Sequence, residues 1–252
     1  MMTDQGKIVS ACVLIIGNEI LSGRTGDENL QFLATRLNEL GIQVMEARVI
    51  RDDCDVIVEV LNSVRATYDY VFTTGGIGPT HDDITSKCVA RAFDVPFGRN
   101  AEAEAILLKY YKAKDVTDER MSMADMPEGV TLIDNPVSLA PGFQIENVFV
   151  LPGVPRIMRD MVEGMAHRLD GGDPVLSISV TSELPEGVIA KSLGQIQDRY
   201  PDVEIGSYPY FQDRKFGTNL VLRSRNEAML GEATNAVRQM VSELSEEYAK
   251  NS

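Results

Sequence analysis

Cysteine is scarce in this chain. Three occur in 252 residues, Cys12, Cys54 and Cys88. They are far apart, odd in number and form no C-x-x-C pair, so neither a disulfide framework nor a zinc site is expected, and a reducing cytoplasm fits best. Each falls in a strand-like or helix-like run, which suits a small buried side chain better than a nucleophile. Histidine is scarcer still, with only His81 and His167, so a multi-histidine metal site is excluded. Positive charge is also short. The chain has 24 Lys and Arg against 38 Asp and Glu, a formal net charge of −14. Such a balance argues against general nucleic-acid binding, which depends on cations that neutralise phosphates. It leaves room for a small anionic ligand, because local N–H groups and metal ions override the global field. No apolar run approaches membrane-spanning length. The opening Met1-Met2-Thr3-Asp4-Gln5 is polar and acidic and does not look like a signal peptide, so a cytoplasmic location is expected.

Familiar phosphate motifs are missing as well. There is no G-x-x-x-x-G-K-[ST], and Gly75-Gly76-Ile77-Gly78 is not G-x-G-x-x-G, so the P-loop and the Rossmann fingerprint both fail. No G-x-S-x-G elbow is present, nor is a Nudix-type cluster of helical glutamates.

What remains is an ordinary globular composition, 44% hydrophobic and 25% charged, able to bury a core. Residues 8–16 read as a buried strand. Leu30, Leu33, Ala34, Leu37 and Leu40 follow helical spacing, with Gly41 where a helix C-terminus favours glycine. Residues 42–50 read as a second strand, and Ile57, Val60, Leu61 and Val64 mark a second amphipathic helix. Residues 69–74 read as a third strand, followed by a helix carrying Ile84, Val89 and Phe93. Residues 99–125 look helical, and 130–134 and 147–151 look like further strands. Pro155 opens a helix whose Met158, Met161 and Met165 form an inward stripe. This alternation predicts an α/β fold, a three-layer α/β/α arrangement around a mostly parallel sheet.

The pattern changes at Asp170-Gly171-Gly172-Asp173-Pro174, a candidate linker. Beyond it, 175–181, 187–199, 203–210, 217–223 and 226–248 read as strand, helix, strand, strand, helix. The expected organisation is therefore a domain over 1–170 and a small α+β (β-α-β-β-α) domain over 171–252.

The segment from Thr73 to Thr85 carries the most chemistry. It joins the apolar run Tyr70-Val71-Phe72 to a helix-like pattern through Gly75, Gly76, Gly78, Pro79, Thr80, His81, Asp82 and Asp83. A strand, a glycine turn and a helix start together expose backbone N–H groups to a phosphate. Carboxylates at the same spot repel a phosphate unless a cation lies between them, which points to a metal-assisted phosphate site. A capping box Thr80-x-x-Asp83 and an ion pair from Asp83 to Lys87 account for two of these residues but not for three glycines and a second aspartate. If both aspartates are helical they lie about 100° apart, so one is expected to serve a metal or a water and the other to cap the helix.

Parallel sheets bind ligands beyond the carboxyl ends of their strands. The loop Gly17-Asn18-Glu19-Ile20-Leu21-Ser22-Gly23 leaves the first strand at that end, and Asn29 opens the next helix. Two readings fit its spacing, a third carboxylate from Glu19 with ligand contacts from Asn18 and Asn29, or an ordinary loop with Asp27 as N-cap. Two more Pro/Gly turns follow, Asn135-Pro136-Val137-Ser138-Leu139-Ala140-Pro141-Gly142 and Leu151-Pro152-Gly153-Val154-Pro155. The second repeats the strand–turn–helix form.

At these four segments the chain resembles the molybdopterin-binding-like superfamily of MogA/MoaB type, through Gly75-Gly76-x-Gly78 and Asp83-x-Thr85. Within it the likeness is to the N-terminal domain of competence/damage-inducible protein A (CinA) and to the N-terminal domain of animal FAD synthases, over roughly residues 8–168. The tail is similar to the small KH-like linker domain of CinA. Two positions depart from the pattern. Val137-Ser138-Leu139 stands where Val-Gly-Thr is usual, and Ile77 stands where MogA/MoaB proteins usually have Thr. The resemblance does not extend to a deamidase domain, so nicotinamide mononucleotide deamidation is not expected.

The resemblance implies a metal-dependent pyrophosphatase that hydrolyses ADP-ribose, or a relative such as FAD, to AMP and ribose 5-phosphate. The alternative it implies is a molybdopterin-binding protein of molybdenum cofactor biosynthesis without turnover. On the first reading Asp83 and Asp82 are catalytic, and Asp83, Asp82 and Glu19 hold a divalent ion (Mg, Mn, Co or Ni). Substrate contacts are expected from Asn18, Glu19, Ser22, Asn29, Gly75, Gly76, Gly78, Pro79, Thr80, Thr85, Asn135, Ala140, Pro141, Gly142, Pro152 and Gly153. The expected partner is a small-molecule nucleotide, with no nucleic acid and no membrane. The tail's Arg199-Tyr200-Pro201-Asp202 is not the G-x-x-G clamp of an RNA-binding KH unit. A packing role in a homo-oligomer is expected instead.

Overall fold

The structure, a computed structural model, describes residues 7–212 and 215–251. The polar segment Met1-Met2-Thr3-Asp4-Gln5, on which the expected absence of a signal peptide rests, lies outside the described residues. The chain divides into two compact units, one of Lys7–Gly172 and one holding the described residues from Asp173 onward.

The larger unit runs β1 (Val9–Ile16), α1 (Asn18–Leu21), α2 (Asn29–Glu39), β2 (Ile42–Ile50), α3 (Cys54–Arg65), β3 (Tyr70–Thr74) and α4 (Thr85–Ala92). It continues through β4 (Phe97–Arg99), α5 (Ala101–Tyr110), α6 (Asp118–Met121), β5 (Asp125–Pro127), β6 (Thr131–Ile133), β7 (Gly142–Ile145), β8 (Val148–Leu151) and α7 (Pro155–Met165). Six strands form one sheet in the order β2-β1-β3-β8-β7-β6. The β2, β1, β3 and β8 pairings are parallel, and β7 and β6 add antiparallel.

Alternation along β1 builds both faces of this sheet. Cys12, Leu14 and Ile16 enter a core with Ile57, Leu61 and Val64 of α3 and Val89 of α4. Val9, Ala11, Val13 and Ile15 enter a second core with Leu33 and Leu37 of α2 and Met158, Met161, Val162 and Met165 of α7. The methionine stripe is thus core, as its spacing predicts. Each fully buried side chain of this size contributes about 1.5–3 kcal/mol, which fixes the helices on the sheet. Phe72 and Phe149, stacked at 5.1 Å between centroids, bind β3 to β8 within the same layer.

Three expectations need correction. Residues 99–125 are not one helix. Helix α5 ends at Tyr110, Thr117 caps the short α6 through its hydroxyl, and β4 pairs with β5 as a small ribbon. Gly142, read as the end of a Pro/Gly turn, instead opens strand β7, where a Cβ on it would collide with the Val150 carbonyl. Lastly, Cys54 and Cys88 are joined as a disulfide, with Cα atoms 5.3 Å apart. Sequence spacing hid this because 34 residues separate them, while the folding of α3 beside α4 brings them together. Cys12 is free and buried, as its strand position suggests.

The division between the two units, after Gly172, falls inside the expected linker, and its two glycines are held by the larger unit. Gly172 donates its N–H to the Gly41 carbonyl at 3.0 Å, and a Cβ on Gly171 would strike the Leu40 carbonyl. Both glycines therefore belong to the larger unit, which ends two residues later than residue 170.

The smaller unit contains β9 (Leu176–Ser182), α8 (Glu186–Arg199), β10 (Glu204–Gln212), β11 (Lys215–Ser224) and α9 (Glu227–Asn251), the expected β-α-β-β-α order. Its antiparallel sheet runs β10-β11-β9. Val180, Leu220 and Leu222 pack there with Ile189, Leu193, Leu230 and Val237. Among the described residues no helix is long and apolar enough to cross a membrane.

Candidate functional site

Strands β1, β3 and β8 are parallel neighbours, so their carboxyl ends emerge side by side. The turns after them begin at Gly17, Gly75 and Pro152. They form the rim of a cavity of about 580 Å³.

The middle turn is held from behind. Gly75 and Gly76 adopt φ of +102° and +68°, conformations that favour glycine. Gly75 donates its N–H to the Leu151 carbonyl at 3.1 Å, so this amide serves the sheet and does not face a ligand. Thr85, fully buried at the start of α4, donates its hydroxyl to the Gly75 carbonyl at 3.0 Å and its N–H to the Gly76 carbonyl at 2.9 Å. With both carbonyls drawn backward, Gly76, Ile77 and Gly78 line the cavity. Among the described residues no hydrogen bond takes up the N–H groups of these three.

The two aspartates part company. Asp83 lines the cavity, and its Oδ2 accepts from the Thr80 N–H at 2.8 Å and the Thr80 hydroxyl at 2.5 Å. Asp82 points to solvent with its side chain 66% exposed, beside the fully exposed His81. Neither is helical, since α4 starts at Thr85 with Ile84 in the cap position. The expected division into a metal carboxylate and a helix cap therefore fails for Asp82 in both roles. Thr80 and Thr85 shape the turn without lining the cavity.

The first loop contributes Glu19 and Ile20. Asn18 stands outside the cavity, its N–H donating to Asp52 Oδ2 at 2.8 Å. Ser22 is also outside, its hydroxyl on the Glu19 carbonyl at 3.2 Å. Asn29 does line the cavity and is 4% exposed. Its Nδ2 donates to the Gly153 carbonyl at 2.9 Å, and its Oδ1 has no partner. Asp27 both lines the cavity and accepts from the Leu30 N–H, while Glu28 rather than Asp27 stands in the cap position of α2.

Asn135 lines the cavity but spends its amide on its own loop. Nδ2 donates to Ser138 Oγ and the Ala140 carbonyl, and Oδ1 accepts from the N–H groups of Val137 and Ser138. It builds the wall in which Ser138 and Ala140 stand rather than reaching for a ligand. Pro141 and Gly142 are buried behind that wall. Pro152 and Gly153 line the cavity, with Gly153 against the Cα of Gly75.

Sequence reasoning missed several walls. Ile15, Ile16, Ile77 and Ile157 make the surface largely apolar, and Met123 joins them from the short 3-10 turn Ser122–Ala124, distant in sequence. Thr74, at the strand end before Gly75, is 1% exposed, and its hydroxyl has no partner. Its position directly before the turn was the one signal available. Among the described residues four carboxylates line the cavity, from Glu19, Asp27, Glu28 and Asp83, and no Lys or Arg does. No group of three or more His, Cys, Asp or Glu among the described residues is placed to hold a metal by itself. Such a donor set suits a hard divalent ion that takes one or two carboxylates and completes its shell with water and phosphate oxygens. Glu19 and Asp83, the two lining carboxylates expected to hold such an ion, belong to no group of three or more such side chains among the described residues.

Both units of this chain match known families. The family described as probable molybdopterin binding domain matches residues 12–171, and that of the FAD synthase middle domain matches residues 174–250. A protein of Archaeoglobus fulgidus is 34% identical over 197 residues, covering 78% of this chain and 84% of its own length. A probable FAD synthase of Caenorhabditis elegans is 29% identical, covering 92% of this chain. The chain spans about half the length of that relative, 50%. Among solved structures, the protein CinA with unknown function from Thermoplasma acidophilum superposes with a TM-score of 0.61 at 34% identity. It covers 64% of this chain and 98% of its own. With the glycine turn, its supporting Thr85 and the matched 12–171 segment in the same unit, this chain belongs to the probable molybdopterin binding domain family, in the branch related to CinA and the FAD synthases.

Proposed function

We propose that the cavity binds a phosphate-bearing heterocyclic ligand of the molybdopterin class, together with a divalent cation. The observation that carries this reading is the pairing, among the described residues, of unfilled amides at Gly76, Ile77 and Gly78 with four lining carboxylates and no lining Lys or Arg. The amides suit phosphate oxygens. The carboxylates repel them unless a cation intervenes. The isoleucine walls suit a flat ring system, and about 580 Å³ is the size of a small-molecule site. The family match over residues 12–171 supports the pterin as the ligand class.

A second reading, hydrolysis of ADP-ribose or FAD at the pyrophosphate, is favoured by one specific pair of observations. Asp83 stands in the cavity wall, and residues 174–250 match the FAD synthase middle domain. On this reading a divalent ion supplies charge neutralisation and a more acidic bound water. The chain's own part is to hold the diphosphate on the Gly76–Gly78 amides and to keep Asp83 fixed through Thr80.

The deciding experiment compares two signals in the full chain. The first is pterin fluorescence that copurifies or titrates saturably. The second is AMP release from ADP-ribose and FAD with Mg, Mn, Co or Ni, measured beside Asp83→Asn. Saturable pterin binding without release supports the first reading. Metal-stimulated release that Asp83→Asn abolishes replaces it with the second. Neither binding nor release rejects both.

A further inference from the structure

We infer that Cys54 and Cys88 form a reversible modification site, at which small dithiol and disulfide reagents set how firmly two neighbouring rims of the cavity are held. The bond joins the first residue of α3 to the second turn of α4. Each helix start is tied to one rim. Just before α3, Asp52 accepts the Asn18 N–H at 2.8 Å, and Ile50 accepts the Gly17 N–H at 3.1 Å, which fixes the loop bearing Glu19. Three residues before Cys88, Thr85 holds the carbonyls of Gly75 and Gly76. Among the described residues the disulfide is therefore the only covalent tie, apart from the chain itself, between the bases of these two loops.

Access to the two sulfurs differs. Cys88 is 0% exposed, whereas Cys54 is partly exposed. A thiolate of a small dithiol attacks Sγ of Cys54, the S–S bond breaks, and the electron pair leaves on Sγ of Cys88, which takes up a proton. The reagent's second thiol then attacks the mixed disulfide, closes the oxidised reagent and releases Cys54 as a thiol. Two electrons pass from the dithiol to the protein, and a disulfide reagent runs the reaction backwards. The helices stay together without the bond, because Asp55 of α3 and Arg91 of α4 remain paired at 2.7 Å and the apolar faces of both helices stay buried. Reduction thus loosens the rims and leaves the fold in place.

The test does not depend on the identity of the cavity's ligand. The full chain is equilibrated with dithiothreitol or with its oxidised form. Free thiols are counted after denaturation, and hydrogen exchange is followed in peptides covering 17–22 and 75–85. The expected result is a gain of two thiols on reduction and exchange about threefold faster in both peptides, with β10 and β11 unchanged. In Cys54→Ser both peptides exchange at the reduced rate whatever the reagent. Equal exchange in the two wild-type states, or a thiol count that neither reagent changes, overturns the inference. Should Cys54→Ser fold poorly, the wild-type pair of states decides alone.

Discussion

Asn29 donates from Nδ2 to the carbonyl of Gly153 at 2.9 Å, joining the start of α2 to the turn after β8 across 124 residues of sequence. This bond holds two walls of the cavity together. The other end of the same amide, Oδ1, is buried without a partner, a costly arrangement unless a ligand group or water completes it. Asn29→Ala is expected to lower stability by about 1–2 kcal/mol, seen as a melting temperature reduced by several degrees in the ligand-free chain. It should also weaken the pterin or nucleotide binding found for the wild type. Unchanged affinity with lowered stability would confine Asn29 to a structural role.

Thiol chemistry offers an independent check on the fold. Burial, and next the nearby Glu46 carboxylate, push the Cys12 thiol up to about 11, since both disfavour the thiolate. Near neutral pH the native, unreduced chain is expected to show no reactive thiol towards a thiolate-selective dye. Denaturation without reductant should release one, Cys12, and denaturation with reductant three. Rapid labelling of Cys12 in the native state would contradict its place in the sheet.

Much of this fold is written in local patterns. Strands β1, β2 and β3 and helices α2, α3 and α7 follow from apolar periodicity, because each buries a face that repeats within a few residues. Strand β7 escaped because Pro141 and Gly142 are turn residues by habit, while the close approach of β8 is what makes Gly142 necessary. The candidate site was legible where a strand runs into a glycine turn, at Gly75, Gly76, Gly78 and Gly153. It was not legible where function depends on which way a side chain turns. Asp82 and Asp83 are equivalent on paper, and only the fold, which sets Asp83 in the cavity wall and leaves Asp82 exposed, tells them apart. Asn135 reads as a ligand contact until its loop is seen to occupy both ends of its amide. Met123, the Cys54–Cys88 pair and the Ile157 wall depend on long-range packing that no local pattern encodes.

Asp69 gives the fold a pH dependence of known sign. Its Oδ2 accepts the Ser10 N–H at 2.8 Å and the Ser10 hydroxyl at 2.7 Å, and these bonds hold its carboxyl below the ordinary carboxylate range. A depressed folded-state value means that the contribution is fully present above the unfolded-state value. It is lost as the pH falls through the folded one. Asp69→Asn is expected to cost less than about 1 kcal/mol at neutral pH, because the pair is exposed to solvent. The difference between wild type and variant should shrink towards zero as the pH falls below the carboxylate range. Thermal melts at a series of acidic and neutral pH values check this, and a gap that widens in acid would reverse the assignment.

The glycines of the rim separate backbone necessity from simple tolerance. At Gly75, with φ of +102°, a Cβ would collide with the Ile16 carbonyl of the neighbouring strand, and a backbone oxygen has nowhere to move. Gly26 also lines the cavity, yet a Cβ there meets nothing within 4 Å, and its φ lies outside the region that favours glycine. Gly75→Ala is therefore expected to cost about 3 kcal/mol or more, through strain at a special backbone position added to a steric clash. It should also displace the Gly76–Gly78 amides, so that any phosphate ligand is lost with it. Gly26→Ala should keep wild-type stability to within about 0.5 kcal/mol. Urea unfolding of the two variants side by side measures the contrast. Equal midpoints would mean that the turn after β3 is not locked against β1 as the sheet register requires.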